Sequence, residues 1–146
     1  MFRTAYRMTG NAADAEDVLQ TIFLRMLRRD TTAILENEES YLRRAAVNAS
    51  LDLIRARQAE SNLPLHDVAA HTGDSPPGEV RDCLRHALAR LSPRSAEMFA
   101  LRYFEDFTNQ QIAKALKVSQ VLVAVTLHRT RQQLQKEIRL YFGGKS

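Results

Sequence analysis

Four histidines, one cysteine and a set of arginines and amides carry the chemistry open to this 146-residue chain. His66, His71, His86 and His128 have no metal-ligand spacing with carboxylates or with Cys83. The chain has neither a Gly-rich phosphate loop nor a nucleophile elbow. Enzymatic chemistry, a metal and a cofactor are therefore not expected. What remains suits hydrogen bonding and charge. Arg44, Asn48, Asp52 and Arg55 recur at offsets of four, four and three, which puts them on one side of a helix. His128, Arg129 and Gln132 lie on a last helix that follows "TNQQIAKAL" and a tight turn. Helix, turn and helix in that order make a common DNA-reading unit. Yet the last helix opens with Val121, Leu122, Val123, Ala124 and Val125, where a base-reading helix should offer hydrogen-bonding groups.

The elements that must hold these residues are helices. Gly and Pro are sparse, at five and four, and Ala, Leu, Arg, Glu and Gln dominate. The net charge of +4 suggests a polyanionic partner. It is unevenly spread. Residues 1–58 carry nine bases and eight acids, residues 59–79 four acids and no base, and residues 80–146 twelve bases and five acids. The middle stretch also holds three of the four prolines. The expected organisation is all-α, with two small helical modules at 1–58 and 80–142, a linker at 59–79 and a short tail at 143–146. An ordered loop packed on one module is the other reading of the linker. With Cys83 alone, no internal disulfide can form, and a reducing compartment is expected. The longest purely apolar run is "VLVAV", far short of a membrane span. A soluble, cytoplasmic protein is the expectation.

In the first module Asn11 is placed to cap a helix that begins with acids and ends with Arg25, Arg28 and Arg29. Val18, Leu19, Ile22, Phe23, Met26 and Leu27 give it an apolar stripe. A second helix is expected from about Tyr41 to Arg57, buried through Leu42, Ala45, Ala46, Ala49 and Leu53. In the second module Ser92-Pro93 starts one helix, Thr108 and Gln111 form a capping box for the next, and Ser119 caps the last. That last helix should bury Val123, Leu127, Leu134, Ile138 and Tyr141 and turn Val121, Val125, His128, Arg129 and Gln132 away. Cys83, beside Leu84 on an amphipathic helix, reads as packing.

These residues resemble a known family. "FRTAYRMTGNAADAEDVLQTIFLRML" and "YLRRAAVNASLDLIRARQ" resemble the second region of the extracytoplasmic-function sigma factors of bacterial RNA polymerase. "LSPRSAEMFALRYFEDFTNQQIAKALKVSQVLVAVTLHRTRQQL" resembles their fourth region. The resemblance spans nearly the whole chain. It implies an alternative sigma factor, with the clamp helices of core polymerase, promoter DNA and an anti-sigma factor as partners. The second region would bind core and open the minus-ten element, and the fourth would read the minus-thirty-five element. Family members ordinarily carry further residues ahead of Phe2, so a short first helix is expected.

Carried over residue by residue, the resemblance assigns core contact to Asp17, Gln20 and Phe23. Thr21 stands where the family usually has Glu. Cap and dipole chemistry is the other explanation for Asp14, Glu16 and Asp17. Asn48 matches the position beside a flipped minus-ten base, and its amide both donates and accepts. Arg44, Asp52 and Arg55 share that helix side, and Arg43 and Arg57 are further candidates for tracking the backbone. The loop from Arg29 to Ser40 would form the other wall of the base pocket.

On the minus-thirty-five side the resemblance points to Arg102, Lys117, His128, Arg129 and Gln132. Lys117 and Val121 replace glycines of the family's pattern, and Ala124, Val125 and Thr126 replace polar or basic residues. The basic residues hold phosphates without reading sequence, while Val121 and Val125 offer only van der Waals contact, best against thymine methyls. Duplex readout should be weak or tolerant of A/T, and binding strongly salt-dependent. Val121, Leu122 and Val125 have two other readings, as a seat for a partner protein or as a face buried by docking of the two modules. Two other functions fit the same residues. One is a helix-turn-helix regulator acting without polymerase, and the other a degenerate sigma factor acting as an interaction module.

Overall fold

The computed structural model describes residues 2–28, 38–61 and 76–143, and its regular structure is helical. The helices are α1 (Phe2–Thr9), α2 (Ala12–Arg28), α3 (Glu38–Ser61), α4 (Pro76–Arg90), α5 (Pro93–Tyr103), α6 (Asn109–Leu116) and α7 (Gln120–Gly143). Most of the expected linker and of the expected base-pocket loop lies outside the described residues, as do His66 and His71.

Local chemistry sets the helix ends. The Asn11 side-chain oxygen accepts from the Asp14 amide at 2.8 Å, and its side-chain nitrogen donates to the Asp14 carboxylate at 3.1 Å. Ser92 accepts from the Ser95 amide at 3.3 Å, with Pro93 in the first turn of α5. Thr108 and Gln111 exchange both bonds of a capping box, at 2.8 and 3.1 Å. Ser119 accepts from the Leu122 amide at 3.1 Å. Each cap satisfies an amide that the helix itself leaves unpaired. All four fall where the sequence puts them. α6 stops at Lys117, whose φ of 58° and ψ of 48° are left-handed, a conformation usually given to glycine. Gly10 turns α1 into α2 at φ +89°, and a Cβ there would stand 2.8 Å from the Arg85 guanidinium.

α1, α2 and α3 pack on one another around Ala5, Ala15, Val18, Ile22, Ala46 and Ala49. Four of these six are alanine, so the helices approach closely but bury little area. In the second module α7 packs against α4, α5 and α6. Its buried face holds Val123, Leu127 and Leu134, as expected, and also Thr130. The Thr130 hydroxyl donates to the Thr126 carbonyl at 2.7 Å, so burial leaves it satisfied. Cys83 is buried in packing, and burial pushes its thiol pKa up.

α3 joins the halves. Ala46 and Ala49 face α1 and α2, with Leu42, Ala45 and Leu53 packed beside them. Val47, Leu51 and Ile54 face the other way and share one core with Met8 and with Leu88, Met98, Leu101 and Leu127 of the second module. Spacings of four and three make this a second apolar stripe on α3, additional to the one assigned from sequence. Fully burying such a side chain contributes about 1.5–3 kcal/mol. Three of them outweigh the roughly 0–1 kcal/mol of a surface ion pair, so docking of the modules is chiefly apolar.

The apolar stripe of α2 is only partly buried. Val18 and Ile22 are buried, but Phe23 is 63% and Leu27 67% exposed. The stripe is therefore narrower than its apolar residues suggest.

Candidate nucleic-acid interface

Three surfaces gather the residues singled out by the sequence. The first is on α3. Asn48 Nδ2 donates to Glu97 Oε2 at 2.8 Å. Arg44 Nε donates to the same oxygen, and Arg44 Nη2 reaches Glu97 Oε1 at 3.4 Å. Arg44 Nη1 also meets the Ala115 carbonyl at 3.5 Å. Glu97 comes from α5 and is only 8% exposed. Arg43 pairs with Glu39 at 2.7 Å and lies 3.8 Å from Glu105, which also accepts from the Thr4 hydroxyl. Arg44 and Asn48 thus converge on one carboxylate of the second module. Asp52 and Arg55 do not join them. Asp52 is exposed, 3.7 Å from Arg25 and 3.9 Å from Arg55.

Between α2 and α3 an open cleft of about 190 Å³ is lined by Ile22, Arg25, Tyr41, Arg44, Ala45 and Asn48. Guanidinium, phenol ring and amide are the groups that stack on and hydrogen-bond to an unpaired base. Sequence reasoning found Asn48 and Arg44 here and missed Arg25 and Tyr41. Tyr41 precedes Asn48 by seven residues, two turns along the same helix face, a spacing that could have found it.

The second surface is on α2. Asp17, Gln20, Phe23, Leu24 and Leu27 are all exposed. Phe23 and Leu24, with Leu19, Gln20, Ile22 and Met26, line an apolar groove of about 430 Å³. The Thr21 hydroxyl donates to the Asp17 carbonyl at 2.9 Å, so its one donor hydrogen is used within its own helix. The acids of the first turns divide. Glu16 and Asp17 are exposed, whereas Asp14 is buried, capped by Asn11 and paired with Arg57 at 2.7 Å. The Arg57 guanidinium holds the Asp14 pKa below the usual carboxylate value, and Asp14 in turn raises that of Arg57. Arg57, a candidate for backbone tracking, is thereby tied to the fold.

The third surface is the front of α7. Val121 is 72% exposed, Leu122 40% and Val125 41%. His128 and Gln132 continue the stripe of Val121 and Val125 at helical spacing, with Arg129 alongside; all three are exposed, as is Lys117 at the turn. Arg102 is half-buried, donates to the Phe107 carbonyl at 3.4 Å and lies 5.8 Å from the centre of the Tyr103 ring. It braces the loop between α5 and α6. The modules dock, but through α3, α4 and α5, and the valine face stays open.

Among the described residues, no group of three or more His, Cys, Asp or Glu is placed to hold a metal ion, and no helix is long and apolar enough to cross a membrane.

Helices α1 to α3 present an exposed apolar face and a polar cleft, and α6, its turn and α7 form a helix-turn-helix. Residues 1–60 match the family model for sigma-70 region 2, and residues 81–134 that for sigma-70 region 4. The chain is 30% identical to an RNA polymerase sigma-E factor of Streptomyces avermitilis, over 94% of this chain and 78% of that protein. It is also 30% identical to the RNA polymerase sigma-E factor of Streptomyces coelicolor, over 94% and 79%. With the ECF RNA polymerase sigma factor SigW of Bacillus subtilis the identity is 23%, over 95% and 83%. The chain belongs to the extracytoplasmic-function group of the sigma-70 family.

Proposed function

We propose that this alternative sigma factor engages core polymerase through α2, admits a melted minus-ten strand at α3 and positions duplex DNA with α7. The observation that carries the reading is the exposed face of α2. Phe23, Leu24 and Leu27 are each more than half exposed beside Asp17 and Gln20. An apolar face of that kind, edged by polar groups, suits a helical partner. The clamp helices of core polymerase are that partner. Thr21, its hydroxyl hydrogen already donated to Asp17, offers no further donor there.

The minus-ten strand enters the cleft of Tyr41, Arg25, Arg44 and Asn48. Tyr41 offers a stacking face, Asn48 reads a base edge, and the arginines hold phosphates. Asp52 and Arg55 flank this site and do not line it. Lys117, Arg129 and Arg102 position the duplex, with His128 and Gln132 reaching for base edges. Val121 and Val125 supply apolar contact to thymine methyls. An anti-sigma factor that covers Val121, Leu122 and Val125 would switch the protein off. The working division is a first module at 1–58, a linker at 59–79 and a second module at 80–142, acting in the cytoplasm.

Binding to purified core polymerase tests the reading. Phe23→Ser combined with Asp17→Ala should abolish high-affinity core binding and leave helicity unchanged. Retention of full affinity by that variant would overturn it.

A further inference from the structure

Tyr103, at the end of α5, is 45% exposed and yet well partnered. Its ring lies against Phe99, with centroids 4.6 Å apart. Arg102 stands 5.8 Å from the ring centre, and Arg131 of α7 donates from Nη1 to the Tyr103 hydroxyl at 2.8 Å. One exposed aromatic thus gathers two guanidinium groups from separate helices. Neither group pairs with a carboxylate among the described residues, whereas Arg90 on α4 meets Glu137 at 3.4 Å. Like charges held together without a counter-ion favour an anion from outside. Position gives that anion a place. α7 turns about 100° per residue, so Arg131 and Arg129 fall on opposite flanks of the stripe formed by Val121, Val125, His128 and Gln132.

We infer that Tyr103 is a positioning residue for duplex DNA: it presets the Arg131 guanidinium, beside Arg102, as a phosphate seat on the α5 flank of α7. A helix lying in the major groove has one sugar-phosphate row on each side. Arg129 holds one row and the seat at Tyr103 holds the other, so the apolar stripe is fixed between two strands. The seat matters more here than on a helix rich in hydrogen-bonding groups, because Val121 and Val125 supply no directed bond to set the register. Arg131 Nη1 gives one hydrogen to the Tyr103 oxygen, and the remaining N–H groups stay open to phosphate. Phe99 keeps the tyrosine ring in place, so a long side chain that would otherwise be ordered only on binding is ordered beforehand. This rests on the assignment of duplex DNA to α7.

The test uses the full chain, a short fluorescein-labelled duplex of random sequence and fluorescence anisotropy over a salt series that starts at low ionic strength. Arg131→Ala should weaken binding and lower the salt slope by about 0.9, as one lost phosphate contact does. Tyr103→Phe keeps the ring on Phe99 and removes only the hydroxyl. It should weaken binding roughly two- to tenfold, the cost of ordering one long side chain on binding, and leave the slope unchanged. Adding Tyr103→Phe to Arg131→Ala should change nothing further, because Tyr103 acts through that side chain. Helicity and melting temperature confirm that each variant is folded. An unchanged slope for Arg131→Ala overturns the inference, and so does unchanged affinity for Tyr103→Phe. A Tyr103→Phe loss that persists in full on the Arg131→Ala background, as a merely structural role would produce, also overturns it. Arg129→Ala keeps the two ideas apart. If it lowers the slope while Arg131→Ala does not, the seat fails and the α7 assignment stands. If neither variant changes duplex binding, the α7 assignment itself fails.

Discussion

Glu97 on α5 accepts a hydrogen bond from Asn48 on α3 at 2.8 Å, across a boundary that composition draws between two modules. The carboxylate is nearly buried, and Arg44 shares it. A buried acid is tolerated only with such partners. The boundary is therefore a made contact, built on an apolar layer and finished with directed bonds.

Asp14 and Arg57 give a pH signature. The folded pKa of Asp14 is depressed, with Arg57 as the largest cause. Its contribution is present above the ordinary unfolded value of ~3.9 and lost as pH falls through the lower folded value. Arg57 is half exposed, so Arg57→Ala should destabilise by only about 1 kcal/mol or less at neutral pH. Urea melts of both proteins from pH 7 downward should show that gap closing in acid. A gap that widens in acid would contradict the pairing.

Ser50 sits in the interior of α3 with a hydroxyl that has no hydrogen-bond partner among the described residues. An unsatisfied buried group costs about 1–3 kcal/mol. Ser50→Ala should therefore raise the melting temperature, and a fall would point to a polar partner for the hydroxyl.

Much of this was legible beforehand, and what was missed has physical causes. Helix starts were readable because Asn11, Ser92, Thr108 and Ser119 act on amides three residues away, a local interaction. The buried stripe of α7 followed from a 3.6-residue period. α3 was half read because it is apolar on two faces. Assigning Ala46 and Ala49 to a core left Val47, Leu51 and Ile54 without an obvious destination. Phe23 and Leu27 share a stripe with Val18 and Ile22, because a side chain awaiting an outside partner has the same composition as one awaiting its own core. Glu97 could not be chosen at all. Its role depends on a contact with Asn48, 49 positions away, and no local pattern encodes that.

Lys117 carries a backbone strain that glycine would remove. Holding an L-residue in the left-handed region costs about 1–2 kcal/mol, partly offset by the greater unfolded freedom of glycine. Lys117→Gly should thus stabilise the second module by roughly 0.5–1 kcal/mol in a thermal melt. It should also weaken duplex DNA binding, because a cation is lost at the turn.

Arg129 and Val125 separate holding from reading on α7. Arg129→Ala should weaken binding to every duplex alike and flatten the salt dependence by about 0.9 in slope, as expected for one phosphate contact. Val125→Ala should leave the slope unchanged and lower affinity only where a thymine methyl meets it. Fluorescence anisotropy over a salt series, with core polymerase present, would measure both. Equal effects of the two variants on slope would contradict the division.

The most direct test is run-off transcription with sigma-free core polymerase, fragmented genomic DNA and the purified chain, beside Asn48→Ala. Discrete transcript starts that share an upstream minus-ten sequence, lost with Asn48→Ala, are the predicted result. Tight core binding without any discrete start, or starts indifferent to Asn48→Ala, would contradict the account at its centre.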